Sequence, residues 1–216
     1  MRVSELSRAS GVPIPTIKFY LREGLLPQGT PTARTQAEYA EGHLRRLRLI
    51  RTLTEIGGLR LRDVRAVLQA IDDEGLGTHK LLGTVHHALG PHPDEQQPSP
   101  DEARAVAEVD RFLDDLGWRV SPEAPARRTL ARALVMLRRM GRDADVEVFE
   151  PYARVADQLT SREVATVAAA GPRAAVVEGA VVGTVVFEAA LVALRRLAQE
   201  HHSALRFLPD PTRGGS

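Results

Sequence analysis

The sequence predicts an all-α fold with a minimal β-wing: a winged helix-turn-helix, then an all-helical carboxy-terminal domain. Three observations predict it. Apolar residues recur at three- and four-residue spacing along most of the chain. Glycines, prolines and capping residues stand where those runs begin and end. No alternating run of useful length follows the segment Leu25 to Tyr39.

Val3, Leu6 and Ala9 are helically spaced, and Gly11 stops a first helix spanning Val3 to Ser10. A second runs from about Pro13 to Glu23, with Pro13 and Pro15 in the first turn, where backbone N–H groups lack helical partners. Two short helices across a tight glycine turn read as a helix-turn-helix. Gly24 then ends the second as a C′ glycine. Leu25 to Tyr39, rich in Pro, Gly, Thr and Gln, reads as a loop or small wing. A long helix from about Ala40 to Ile56 carries Leu44, Leu47, Ile50 and Leu53 on one face, and Gly57-Gly58 stops it. The next begins near Leu61 and buries Val64, Val67, Leu68 and Ile71.

Residues 72–100 are expected to hold one short helix, Thr78 to Leu89, and the proline-rich linker PHPDEQQPSP. Ser99-Pro100-Asp101-Glu102 is a strong helix start, with Ser99 as N-cap and carboxylates near the positive helix end. Val106, Val109, Leu113 and Leu116 follow as a stripe. Ser121-Pro122-Glu123 repeats that signal ahead of Leu130, Leu134 and Leu137. A helix from about Asp145 to Leu159 comes next, then a capping box at Thr160-Ser161-Arg162-Glu163 opens another that Gly171-Pro172 closes. The last helix, about Arg173 to Leu205, is apolar around most of its circumference up to Leu194, which implies burial on several sides. The expected domains are 1–71, the connecting segment 72–100, a helical domain 101–208 and a disordered tail 209–216.

The 216 residues are 43% hydrophobic and 26% charged, ordinary for a globular protein. No cysteine is present, which excludes disulfides, thiolate metal sites and cysteine nucleophiles. Aromatics are only 4%, too few for a single-strand stacking platform. The most apolar stretch, Ala174 to Leu194, is interrupted by Glu178 and Glu188, and the amino terminus has no apolar signal core. A cytoplasmic protein without membrane contact is therefore expected. No nucleophile elbow, phosphate loop or metal-ligand spacing occurs, so neither an enzyme nor a cofactor is expected. Net charge is only +1, yet residues 1–71 hold twelve Arg/Lys against six Asp/Glu, a net of +6, and the remainder carries −5. That asymmetry fits a nucleic-acid-binding module joined to something else.

MRVSELSRASGVPIPTIKFYLREGLLPQG, followed by HLRRLRLIRTLTEIGGLRLRDVRAVL, resembles the winged helix-turn-helix of the MerR family of transcription regulators. The ordered motifs are SELSRASGV, TIKFY with EGLLP, the LRRLRLI run, and the GGLRL turn before the fourth helix. They cover residues 1–71, about a third of the chain. The resemblance implies a recognition helix, Pro13 to Glu23, in a major groove. Positions matching Thr16, Lys18, Tyr20 and Arg22 lie at the DNA surface in the family. Lys18 and Arg22 stand one turn apart, suited to phosphates or guanine edges, and a tyrosine hydroxyl can bond a phosphate. Ile17, Leu21 and one of Phe19 or Tyr20 are expected in the core.

The family's Gly-Tyr-Arg-x-Tyr wing segment is absent: Thr35, Gln36, Ala37 and Glu38 precede Tyr39 instead. Arg34 is the neighbouring candidate for that phosphate contact, and Arg60 the candidate at the second wing, before a helix N-terminus. Prolines 13 and 15 replace donors found in other members, which leaves the bases read open. The resemblance also implies a homodimer on double-stranded promoter DNA, which bends and undertwists the promoter so that RNA polymerase engages both of its elements.

Members differ after the fourth helix, and a small-molecule effector, a protein partner or a purely architectural DNA-bending role are the readings left for that part. Trp118, Tyr152, Glu178 and Glu188 are candidate effector contacts. Trp118 and Tyr152, with Phe112, Phe149 and Phe187, line either a pocket or plain core. Glu178 and Glu188 need partners, either Arg173, Arg195 and Arg196 or a cationic effector. The small residues Gly179 and Gly183 suit either a dimer contact or core packing. Adjacent histidines, at 86–87 and 201–202, point about 100° apart on a helix and read as solvated rather than metal-binding.

Overall fold

The computed structural model describes residues 1–33, 36–90, 99–168 and 173–208. Helix α1 spans Val3–Ser10 and α2 spans Ile14–Arg22. Between them Gly11, at φ 70°, donates its amide to the Ser7 carbonyl, and Ser10 Oγ accepts from the Val12 amide at 3.2 Å. Leu6, Val12 and Ile17 fall inward from this turn. Pro13 is the N-cap of α2, just outside the helix, and Pro15 lies in the first turn. At the other end Gly24, at φ 70°, donates to Leu21 O while the Leu25 amide reaches back to Tyr20 O at 2.9 Å. This paired closure needs a left-handed residue, and glycine adopts that conformation without strain. It turns Leu25 and Leu26 into the core.

The wing is two antiparallel strands, β1 (Thr30–Ala33) and β2 (Gln36–Glu38), with Thr30 opposite Glu38 and Pro31 opposite Ala37. The amino-terminal ammonium donates to Tyr39 O at 2.9 Å and the Tyr39 amide donates to Met1 O at 2.7 Å. Helix α3, Glu41–Arg51, then widens into a π-helical turn, Thr52–Ile56, where one uniform helix was expected. The hydroxyls of Thr52 and Thr54 donate to Arg48 O and Ile50 O there, competing with the α-helical amides.

Helix α4, Leu61–Asp72, buries Val64, Val67 and Leu68, and α5, Thr78–Leu89, buries Leu81 and Val85. One core joins α1 to α5, and it is completed by Val177, Val181 and Val185 of α9, the long helix Arg173–Phe207. Each fully buried Leu or Val contributes roughly 1.5–3 kcal/mol. The amino-terminal helices therefore do not close their core alone.

A second core lies between α6, Pro100–Asp115, and α7, Pro125–Arg139. Val109, Phe112 and Leu113 face Leu134 and Val135, and Val146 and Ala153 seal one end. Ser99 caps α6 as expected, its Oγ accepting from the Glu102 amide at 3.2 Å. Ion pairs ring this core: Arg127 with Asp110, Arg132 with Glu102, and Arg138 forked onto Glu108 at 2.9 and 2.7 Å.

Three expectations need correction. Helix α7 starts at Pro125, because Ser121 Oγ bonds the amide and carboxylate of Glu123 in a local turn instead of capping a helix. The capping box at Thr160 opens no helix: α8 runs unbroken over Glu150–Ala168, after a 3-10 turn at Val146–Phe149. Thr160 donates back to Ala156 O at 2.9 Å, an alternative open to any mid-helix threonine. The third correction is α9. Val177, Ala180, Val181 and Val185 are buried, but Phe187 is 50% exposed and Leu194 62%. The first core ends near Val185; beyond it α8 meets α9 through Tyr152 and Arg195, and most of the apolar circumference is left in solvent in the single chain. By length and composition alone, Ala175–Phe207 is also long and apolar enough to cross a membrane. The expected linker (91–98), the Gly171-Pro172 stop and the tail (209–216) lie outside the described residues.

Candidate nucleic-acid interface

Helix α2 sorts its residues by side. Ile17 and Tyr20 point into the core and Leu21 is partly buried against it. Lys18 and Arg22 are exposed one turn apart, and the Arg22 side chain is 70% exposed. Arg22 lies 5.3 Å above the Phe19 ring and 3.7 Å from the Glu23 carboxylate. Thr16 is half-buried, and Pro13 and Pro15 are exposed at the start of the helix.

Tyr20 departs from its expected place at the DNA surface. Its residue is 8% exposed and its ring belongs to the core, so it is Phe19 that flanks Lys18 and Arg22. Burial raises the phenol's pKa above its ordinary value, and the charge of Glu55 pushes the same way. Arg34 lies outside the described residues.

Arg60 is exposed at the N-cap of α4, with extended backbone at φ −72° and ψ 151°. Arg65, on the same helix, donates to Glu23 O at 3.1 Å and meets the Glu23 carboxylate at 3.3 Å. That bond ties α4 to the end of the recognition helix, and Arg60 lies about 8 Å further along the α4 axis at 1.5 Å per residue. A phosphate arriving at Arg60 would also meet the positive end of α4.

Sequence reasoning missed a second set of arginines. Arg46 Nε donates to Leu25 O at 2.6 Å, while its two terminal nitrogens fork onto Asp72 at 2.6 and 2.7 Å. Arg51 Nη1 donates to Ser10 O at 3.0 Å, and its other nitrogens hold Glu55. The hydrogen bond from Arg51 lowers the Glu55 pKa. Arg46, Arg51 and Arg65 thus satisfy carbonyls where α1 and α2 end. Three of the amino-terminal cations thus fix the helix-turn-helix in place, while Lys18, Arg22 and Arg60 face outward together with Arg2, Arg8, Arg45, Arg48 and Arg62. Only the Arg51–Glu55 spacing of four residues was visible in the sequence.

The carboxy-terminal candidates do not converge. Trp118 packs partly buried at the edge of the second core with Phe149, near buried Phe112. Tyr152 is 55% exposed on α8, with Arg195 at 5.6 Å over its ring, and Phe187 is exposed on α9. Trp118, Phe112 and Phe149 belong to the second core while Tyr152 and Phe187 are exposed, so the five rings do not line one pocket in the single chain. The expected pairing of Arg195 with Glu178 or Glu188 is also corrected, because Arg195 goes to Tyr152 and to Gln199. Glu188 is exposed, near enough to His86 to oppose the lowering of the histidine's pKa by burial. Glu178 is partly buried and lines an open cleft. Among the described residues no three His, Asp or Glu side chains are grouped to hold a metal ion.

A family model described as the MerR HTH family regulatory protein matches residues 1–71. The crystal structure of "the putative transcriptional regulator SCO5550 from Streptomyces coelicolor A3(2)" is similar to the whole chain. It is 38% identical over 97% of this chain and 99% of that one, with a TM-score of 0.74. No curated protein matches.

Proposed function

The chain belongs to the MerR family of helix-turn-helix regulators, and from that premise we propose that it binds promoter DNA as a homodimer and controls transcription by distorting the promoter. It is a DNA-binding transcription regulator. The observation that carries the finer reading is the division of labour among its cations. Lys18, Arg22 and Arg60 face outward, while Arg46 and Arg65 tie the end of the recognition helix to α3 and α4 and Arg51 ties the end of α1 to α3. Rigid presentation lets phosphate contacts offset the few kcal/mol that bending a promoter costs. RNA polymerase is then affected through the DNA, in the cytoplasm. Residues 1–71 are the DNA-binding unit in this reading, and the helical remainder supplies dimerisation and effector response.

The exposed face of α9 supports the homodimer. Phe187, Leu191, Leu194, Ala198, His201, Leu205 and Leu208 repeat at alternating four- and three-residue steps, the spacing of a two-helix seam. All are exposed in the single chain. The whole helix is about 52 Å long at 1.5 Å per residue, so most of its outer half is available to a second copy.

Repeated selection from a random-sequence duplex library by the full chain, with light scattering of the free protein, tests the proposal. Enrichment of two half-sites related by a two-fold axis, together with a dimeric mass, is expected. A monomer that enriches nothing over random duplex contradicts it.

A further inference from the structure

The beginning of α3, the end of α4 and the first turns of α9 enclose an open cleft of about 780 Å³, the size of a small-molecule site. Leu49, Ile71 and Val177 give it apolar walls. Three of its polar side chains are already engaged. Arg46 and Asp72 neutralise each other through their fork. His43 Nδ1 accepts from the Ala40 amide at 3.0 Å and caps the start of α3.

That leaves Arg45, Glu74 and Glu178, a net negative rim. Glu178 is partly buried beside Val177 and has no ion-pair partner among the described residues. A carboxylate at the edge of an apolar cleft gains most from a ligand that brings a positive charge together with apolar surface.

We propose that this cleft binds an organic ammonium compound, its apolar body on Leu49, Ile71 and Val177 and its ammonium group held by Glu178 and Glu74. The proposal deepens the effector part of the reading above and rests on it. Both walls lead toward the DNA-binding surface. Arg46, in the cleft, holds Leu25 O just past the recognition helix. Val177 belongs to the same valine row as Val185, which packs on the Gly57 turn ahead of Arg60. A ligand that favours one placement of α9 therefore shifts the geometry offered to DNA.

The test titrates full-length protein with three probes sharing one apolar body: 3-phenylpropylamine, 3-phenylpropanol and 3-phenylpropionate. Chemical shifts of backbone amides in residues 43–49, 71–74 and 177–178 are followed. The amine should saturate these shifts with a Kd of about 1 mM, at least tenfold tighter than either other probe. Glu178→Gln should weaken the amine about fivefold or more, and Glu74→Gln, at an exposed position, should weaken it as well. Equal binding of the three probes, absence of saturation by the amine, or indifference to both substitutions overturns the proposal. Duplex binding measured on the same preparation without amine separates failure of this site from failure of the DNA-binding reading.

Discussion

Arg46 and Asp72 form a two-point fork, 2.6 and 2.7 Å long, that fastens α3 to the last residue of α4. The same guanidinium holds Leu25 O at 2.6 Å, so one side chain connects three segments. Arg46→Lys keeps the charge but cannot make all three bonds. Its side chain is 15% exposed whereas that of Asp72 is 54%, so solvent screens part of the pair. Thermal or urea unfolding of Arg46→Lys is expected to show a loss of about 1–2 kcal/mol. An unchanged midpoint would mean that the fork contributes nothing to holding the turn.

Gly57 and Gly83 make opposite predictions. A Cβ on Gly57 would lie 2.8 Å from Leu53 O, 2.9 Å from a Leu59 methyl and 3.1 Å from Val185 Cγ1. Backbone cannot yield there, and Gly57→Ala should cost about 2 kcal/mol and loosen α9 from its seat. On Gly83, inside α5, a Cβ meets nothing within 4 Å. Gly83→Ala should raise stability by up to about 1 kcal/mol through helix propensity. Calorimetry of both variants checks the pair, and shifts of the same sign would refute the packing described for α9.

Leu194 sits in the exposed seam of α9, 62% exposed. A charge placed there is harmless in a single chain and expensive when buried against a second copy. Sedimentation of Leu194→Asp should therefore show monomers with unchanged helix content. A dimer as tight as the unaltered protein would move the interface away from this helix.

The helix-turn-helix was legible because its punctuation has few alternatives, Gly11 and Gly24 both adopting φ of 70°, and the start of α6 was legible for the same reason in its Ser99 cap. Thr160 was misread because a threonine hydroxyl serves equally as a cap or as a donor to the preceding turn. Phe19 and Tyr20 could not be separated by spacing, since neighbours on a helix differ by about 100° and only the packing of the folded core decides which is covered. The arginine clamps were invisible for another reason. Arg46 and Asp72 are 26 residues apart, and no local pattern announces such a pair. Composition announced that α9 avoids water, but not whether its own chain or another would cover it. The cleft has the same origin: its residues come from segments about a hundred positions apart that meet only in the folded chain.

The salt dependence of binding to a selected duplex tests the central claim most directly. Each lysine or arginine that neutralises a phosphate contributes about one unit to the slope of log affinity against log salt. Lys18→Ala and Arg22→Ala should each weaken binding and reduce that slope by about one, while Tyr20→Phe, whose ring stays in the core, should leave the slope unchanged. Slopes identical to the unaltered protein in both cation variants would contradict the account, because α2 would then not be the surface that meets DNA.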